Sequence, residues 1–172
     1  MDLPNIILSA VYLITLFYTV FWLITFIDTK EDKKHKIKHN PFVSVIVPAY
    51  NEEESIKETL DSLIRLDYPK EKIEIIVVND GSKDSTIQVT EKFISDNPGY
   101  DIKLVNQENQ GKWMAMNNAL KVAKGEFFAC LDADSVVNKH ALKRMVPYFE
   151  DENVAIVLPL IKVKKPKSIL QR

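Results

Sequence analysis

The sequence has a single cysteine, Cys130, so no disulfide can form within the chain, which agrees with a reducing compartment. That cysteine lies in an apolar run and reads as an inert core thiol. Glycine is scarce, with 4 in 172 residues, and no strand-like run leads into G-x-G-x-x-G. A dinucleotide-binding oxidoreductase is excluded on that ground. An excess of either charge is missing too. The 23 Lys and Arg nearly balance the 24 Asp and Glu, so no global field draws the protein to nucleic acid. The most informative absence is local: no charged residue occurs from Leu3 to Ile27.

Ile6 to Ile27 is almost continuously apolar. As a helix it rises about 33 Å, against a hydrocarbon core of about 30 Å. A cleaved signal peptide has a basic start, a shorter apolar run and a small-residue cleavage site. Here the start is Met1-Asp2 and no such site follows. A helix apolar on every face suits lipid better than the interior of a small domain. Residues 1–28 therefore read as a transmembrane helix. Residues 29–40 read as a basic juxtamembrane linker, with Lys30, Lys33, Lys34, Lys36 and Lys38 opposed only by Glu31 and Asp32. Basic flanks stay cytoplasmic, so the expectation is a single-pass protein of the cell membrane, N-terminus outside and globular domain inside. The lysines also favour anionic headgroups, by about 1 kcal/mol each near the surface.

Residues 41–172 suffice for one modest domain. Apolar, β-branched runs at 42–47, 73–78, 102–105, 126–131 and 154–158 read as strands. Helical periods run over 52–66, 84–95, 112–123 and 139–149. Strands apolar on both faces, alternating with helices, predict an α/β fold: a mainly parallel sheet covered on both faces. Ligands bind such sheets at the carboxyl ends of the strands. The polar clusters fall there: Tyr50-Asn51-Glu52 after the first strand, Asn79-Asp80-Gly81-Ser82 after the second, and Asp132-Ala133-Asp134-Ser135 after the fourth.

Asp132 and Asp134, two apart on an extended segment, point to one side. Carboxylates about 5 Å apart repel by roughly 3 kcal/mol at an effective dielectric of 20. A raised pKa or a bound cation must relieve that. Oxygen ligands without Cys or His nearby suit Mg²⁺ or Mn²⁺, which usually arrive with substrate phosphates. A solvated turn is the plainer reading of an arbitrary D-x-D, but the end of a buried strand is an unusual place for one. Asp80 opens a turn for which Asp-Gly is favoured, and suits a hydroxyl or base N–H donor. Lys112, at the start of a helix, could neutralise a phosphate. Trp113 and Met114 read as packing residues, and His140 has no evident partner. D-x-D-x-V over 132–136 also fits the haloacid-dehalogenase phosphatases locally, although only 36 residues follow Val136 to hold their later motifs.

Taken together, the residues resemble the family 2 glycosyltransferases with their GT-A, Rossmann-like nucleotide-sugar-binding fold. Val43 to Glu52 resembles the family's opening strand. Val78 to Ser82 with Asp84-Ser85-Thr86 resembles its second signature, Asn109 to Lys112 with Asn117 its third, and Leu131 to Asp134 its D-x-D. The membrane helix and the tail Ser168 to Arg172 are similar to the branch of hyaluronan, chitin and poly-N-acetylglucosamine synthases. The resemblance implies a UDP-sugar donor and a carbohydrate or lipid-linked acceptor. It places Ala49, Tyr50 and Glu52 against base or ribose, Asp80 at the uracil and Lys112 against the nucleotide. Asp132 would sit by ribose and metal, with Asp134 ligating Mn²⁺ or Mg²⁺ on the diphosphate. The family's later acidic residue, the base that deprotonates the acceptor, has no counterpart before Arg172. The catalytic residue is thus expected beyond it, and the domain is expected to be incomplete at its C-terminus. The chain alone is then expected to be inactive, or a fragment that only binds nucleotide-sugar.

Overall fold

The computed structural model describes residues 2–27 and 39–161, the side chains of residues 26 and 27 excepted. The lysines of the expected linker and the tail from 162 onward lie outside the described residues. The chain divides into two compact units, one holding the first helix and the other the sheet.

Helix α1 spans Leu3–Ile27. Its serine and threonine hydroxyls satisfy themselves within the helix: Ser9, Thr15, Thr19 and Thr25 each donate to a carbonyl one turn back, at 2.7–2.9 Å. Internal satisfaction is what a hydrocarbon environment requires. Leu3–Thr25 is long and apolar enough to cross a membrane, and none of it is buried.

The second unit is built on four parallel strands: β1 Val43–Ala49, β2 Ile73–Asp80, β3 Asp101–Gln107 and β4 Phe127–Cys130, in the order β3-β2-β1-β4. The β-branched residues of β1 and β2 take the centre, buried on both faces. Helices α2 (Ile56–Ile64), α3 (Thr86–Asp96) and α5 (Ala141–Met145) cover one face. There Val45, Val47, Ile75 and Val77 meet Ile56, Leu60, Phe93 and Leu142. Helix α4 (Lys112–Val122) covers the other face, placing Ala115 and Ala119 on Ile46, Ile76 and Val78. Each fully buried Val, Leu or Ile contributes about 1.5–3 kcal/mol.

Several boundaries differ from the sequence expectation. The helix expected from 52 starts at Ile56, because Ser55 N–H and Ile56 N–H first close a turn onto Glu52 O. The helix expected over 139–149 ends at Met145 and gives way to a 3₁₀ turn, Val146–Glu150, where Pro147 has no N–H to donate. The strand expected at 154–158 does not form. Ile156 and Leu158 are exposed and no ladder runs beside them among the described residues, and a strand needs a partner backbone. Cys130 is exposed rather than core, because β4 is an edge strand; its Sγ lies 3.9 Å from Met116 Sδ.

The apolar reading of β2 overlooked Glu74, which is fully buried. Its Oε1 accepts from Ser44 Oγ (2.6 Å) and Lys124 N–H (2.5 Å), and its Oε2 from Lys103 Nζ (2.5 Å). Gly125 N–H donates to Ser44 Oγ, so the cluster fastens the start of β4 to the sheet centre. A Cβ on Gly125 would lie 2.5 Å from Ser44 N and Ser44 Oγ, which leaves room only for glycine.

Candidate nucleotide-sugar site

Three loops at the carboxyl ends of β1, β2 and β4, joined by Lys112 at the start of α4, build one cleft. The first two are laced together by short polar side chains. Asn51 takes the left-handed conformation (φ 55°), which Asn tolerates better than most residues. Its N–H donates to Ser82 Oγ (3.0 Å) and its Oδ1 accepts from Lys83 N–H (2.8 Å). Glu52 N–H donates to Thr86 Oγ1, and Glu53 N–H to Asp84 Oδ2. Desolvation pushes the Asp84 carboxyl up. Hydrogen bonds from the Thr86 hydroxyl, Glu53 N–H and Thr86 N–H outweigh this and hold it below the ordinary carboxylate value. Asp84 thereby satisfies the first N–H of α3, that of Thr86, a task the cap position Ser85 does not perform.

Asp80 ends β2 and is 5% exposed. It accepts from Gln107 Nε2 (2.8 Å), Gln110 N–H (2.8 Å) and Gly111 N–H (2.9 Å). Gly81 follows at φ 70°, and a Cβ there would lie 2.8 Å from Asn109 N. Glycine is thus required both by the turn and by the close approach of the 109–111 loop.

The third loop leaves β4 with Leu131 N–H on Ile46 O (3.0 Å), then turns, with Ser135 N–H on Asp132 O (3.0 Å). Asp132 therefore opens a turn and Asp134 lies within it, so the pair does not ride an extended strand. Ala133 between them is buried, and its carbonyl accepts from Thr59 Oγ1 of α2 (2.7 Å). Ser62 Oγ, also on α2, accepts from Val137 N–H (3.1 Å). Helix α2 so pins the middle and far end of the loop and leaves both carboxylates facing solvent.

Pro48, Ala49, Tyr50, Glu52, Asp80, Lys112, Asp132, Ala133 and Asp134 line this cleft of about 280 Å³. Every residue the sequence nominated is among them. Two other hollows lie near the amino ends of β2 and β3, around Lys70, Ile73, Tyr100 and Asp101, and hold none of the nominated residues. Four carboxylates share the cleft with one ammonium, Lys112, which is ion-paired with Asp132. That bond, opposed by partial desolvation, raises the Lys112 pKa above its ordinary value. The surplus of negative charge favours a cation. Among the described residues no three His, Cys, Asp or Glu side chains gather as a metal-binding group. Two carboxylates without softer ligands fit an ion that takes its remaining oxygens from water and phosphate.

Two expectations nearby are corrected. Trp113 is 64% exposed rather than packed, because α4 turns Ala115 and Ala119 to the sheet and the indole lies out beside Gly111. His140 does have a partner: its Nδ1 lies 3.3 Å from Asp67 Oδ2, which Lys143 Nζ also reaches at 2.7 Å. Sequence reasoning placed Asn51 and Thr86 within its motifs without giving either a role of its own, and passed over Gln107. Short polar residues just past strand ends were the available signal for the first two. Gln107, at the end of a half-buried strand, gave none.

Residues 44–171 match glycosyl transferase family 2. The chain belongs to that family. This overturns the haloacid-dehalogenase alternative. The poly-beta-1,6-N-acetyl-D-glucosamine synthase of Staphylococcus epidermidis is 35% identical over 130 residues, covering 74% of this chain and 30% of that enzyme. Among solved structures, the mannosyltransferase PcManGT from Pyrobaculum calidifontis, in complex with GDP-Man and Mn²⁺, superposes with a TM-score of 0.74 at 31% identity. The match covers 87% of this chain and 44% of that one. TarS 1–349 of Staphylococcus aureus, in complex with UDP-GlcNAc, gives a TM-score of 0.57 at 41% identity, covering 64% and 31%. This family 2 chain thus spans about a third of the length of the synthase it matches. The expected α/β architecture, a parallel sheet with helices on both faces and an apolar helix ahead of it, is the one found.

Proposed function

We propose that this chain is the donor-binding portion of a membrane-bound hexosyltransferase. It binds a UDP-sugar together with Mn²⁺ or Mg²⁺, for transfer of the sugar to a polysaccharide or lipid-linked acceptor. The observation that carries the reading is the meeting of Ala49, Tyr50, Glu52, Asp80, Lys112, Asp132 and Asp134, from separate loops, in one cleft at the carboxyl edge of the sheet. The UDP-GlcNAc held by TarS and the GDP-Man and Mn²⁺ held by PcManGT support a nucleotide-sugar and a divalent ion.

In this reading Ala49, Tyr50 and Glu52 take the base and ribose, and Asp80 accepts from a base N–H. Asp132 and Asp134 hold the ion, and Asp132 also approaches the ribose. A divalent ion there neutralises charge growing on the leaving diphosphate. Lys112, released from Asp132, turns its ammonium to a phosphate oxygen. Helix α1 supports attachment to the cell membrane, and the lysines of residues 29–40 support a cytoplasmic face for the domain.

The test is titration calorimetry of the full chain in detergent with UDP-GlcNAc, with and without Mn²⁺. Binding is expected with the metal, and is expected to vanish on chelation and in Asp134→Ala. Equal affinity with and without metal would refute the metal role; no binding of UDP-GlcNAc or of GDP-mannose would refute the donor reading.

A further inference from the structure

Asp80 is held by more than its own loop. Gln107 Nε2 and Gln110 N–H occupy both lone pairs of Oδ1, and Gly111 N–H takes one of Oδ2. The acceptor capacity left to the carboxylate is on Oδ2. Two of these donors are backbone groups. The third, Gln107, is an amide whose orientation is dictated from outside the cleft. Lys121 Nζ can only donate, so Asn118 Oδ1, 2.8 Å away, accepts. Asn118 Nδ2 must then donate, and it meets Gln107 Oε1 at 2.8 Å. Gln107 is left with its Nε2 towards Asp80. The direction of every bond follows from the ammonium at the end of the chain. The relay runs from α4, through the end of β3, to the end of β2.

We infer that Gln107, oriented by Asn118, is a positioning residue that sets the nucleobase selectivity of the cleft. It fixes Asp80 as an acceptor with one oxygen open, so the cleft takes a base presenting a ring N–H, as uracil does at N3. Cytosine turns a lone pair at N3 to the same oxygen and can offer it only the exocyclic N4 amine, from a shifted position, so it is held more weakly. A site built to hydrogen-bond one partner discriminates strongly against an analogue that leaves a buried polar group unpaired. The inference rests on the donor reading proposed above.

The experiment is calorimetric titration of the full chain in detergent, with Mn²⁺, using UDP and CDP as probes. The wild type is expected to prefer UDP. Gln107→Met keeps the length of the side chain and removes the donor. The bond to Asp80 exists with and without ligand, so only the lost alignment of the carboxylate reaches the affinity, and UDP binding is expected to weaken several-fold. CDP, which does not use that alignment, is expected to change little, so the ratio of the two affinities falls. Asn118→Ala, on the far side of the relay, is expected to lower the ratio in the same direction by a smaller factor. It reads the same quantity should Gln107→Met fail to fold. An unchanged ratio in a folded variant, or equal losses for both nucleotides, overturns the inference and leaves the donor reading standing. Equal wild-type affinities for UDP and CDP do the same. Binding of neither nucleotide by the wild type overturns both.

Discussion

Replacing Glu74 separates two ways a buried carboxylate can hold a fold. The side chain is fully buried and accepts from Ser44 Oγ, Lys124 N–H and Lys103 Nζ. Glu74→Gln keeps an oxygen for Ser44 and Lys124 but sets an amide donor against the ammonium. The Lys103 side chain is 29% exposed and can turn to water, which limits that loss. A hydrogen bond to a charged group is worth about 1.5–3 kcal/mol, and rehydration returns part of it, so a cost of about 1–2 kcal/mol is expected. Glu74→Leu also strands the Lys124 N–H and the Ser44 hydroxyl, and is expected to cost about 3–5 kcal/mol. At roughly 4 °C per kcal/mol for a domain of this size, the melting temperature of the leucine variant falls by about 12–20 °C. Acid adds a second signature. Burial pushes the Glu74 carboxyl up, but the bonds from Lys103, Ser44 and Lys124 N–H outweigh it and hold its pKa below the ordinary 4.5. A depressed folded pKa gives stability that is present above the unfolded value and lost as pH falls through the folded one. The wild type should therefore weaken below about pH 4.5, and Glu74→Leu should lack that component of the slope. Thermal melts of the full chain in detergent, followed by far-UV circular dichroism from pH 7 to pH 3, measure both. Equal losses for Gln and Leu would refute the weight placed on the stranded donors, and an unchanged acid slope in the leucine variant would refute the role of the charge.

Gly81→Ala meets both a positive φ and Asn109 N at 2.8 Å, and is expected to cost about 1–3 kcal/mol and to weaken nucleotide binding through the 109–111 loop; melting temperature and UDP affinity measured together check it. For sidedness, the exposed native thiol must first be removed by Cys130→Ser. A cysteine placed at Asn5 should then react with an impermeant thiol reagent outside intact cells while one at Lys83 should not, and the reverse pattern would overturn the orientation drawn from the lysines.

What the sequence made legible was whatever a single segment determines. The β-branched runs of β1 and β2 are buried on both faces, so their apolar character is unambiguous. Each strand ends in a polar cluster because the backbone leaves the sheet there. Asp80, Asp132 and Asp134 could be nominated from those two facts, and the cleft lining contains them all. What stayed hidden depends on pairs far apart in the chain. Glu74 hides in a β-rich run because its partners are 30, 29 and 50 residues away. Gln107 draws its meaning from Asp80 and Asn118 on neighbouring elements. The run at 154–158 has the composition of a strand, but composition supplies no ladder partner.

The resting arrangement of Lys112 and Asp132 bears on how the cleft would accept its ligand. The lysine proposed for the phosphate and the carboxylate proposed for the ion are paired with each other. A donor that brings both phosphate and metal must part them. Both side chains are more than half exposed, so each is partly hydrated already, and an exposed pair of this kind contributes at most about 1 kcal/mol. Parting them is cheap. A metal-free nucleotide would leave Asp132 without a countercharge while drawing Lys112 away, and free metal would meet a carboxylate already neutralised by the ammonium. Each ligand therefore lowers the cost of admitting the other, and nucleotide and ion are expected to bind with positive linkage rather than independently.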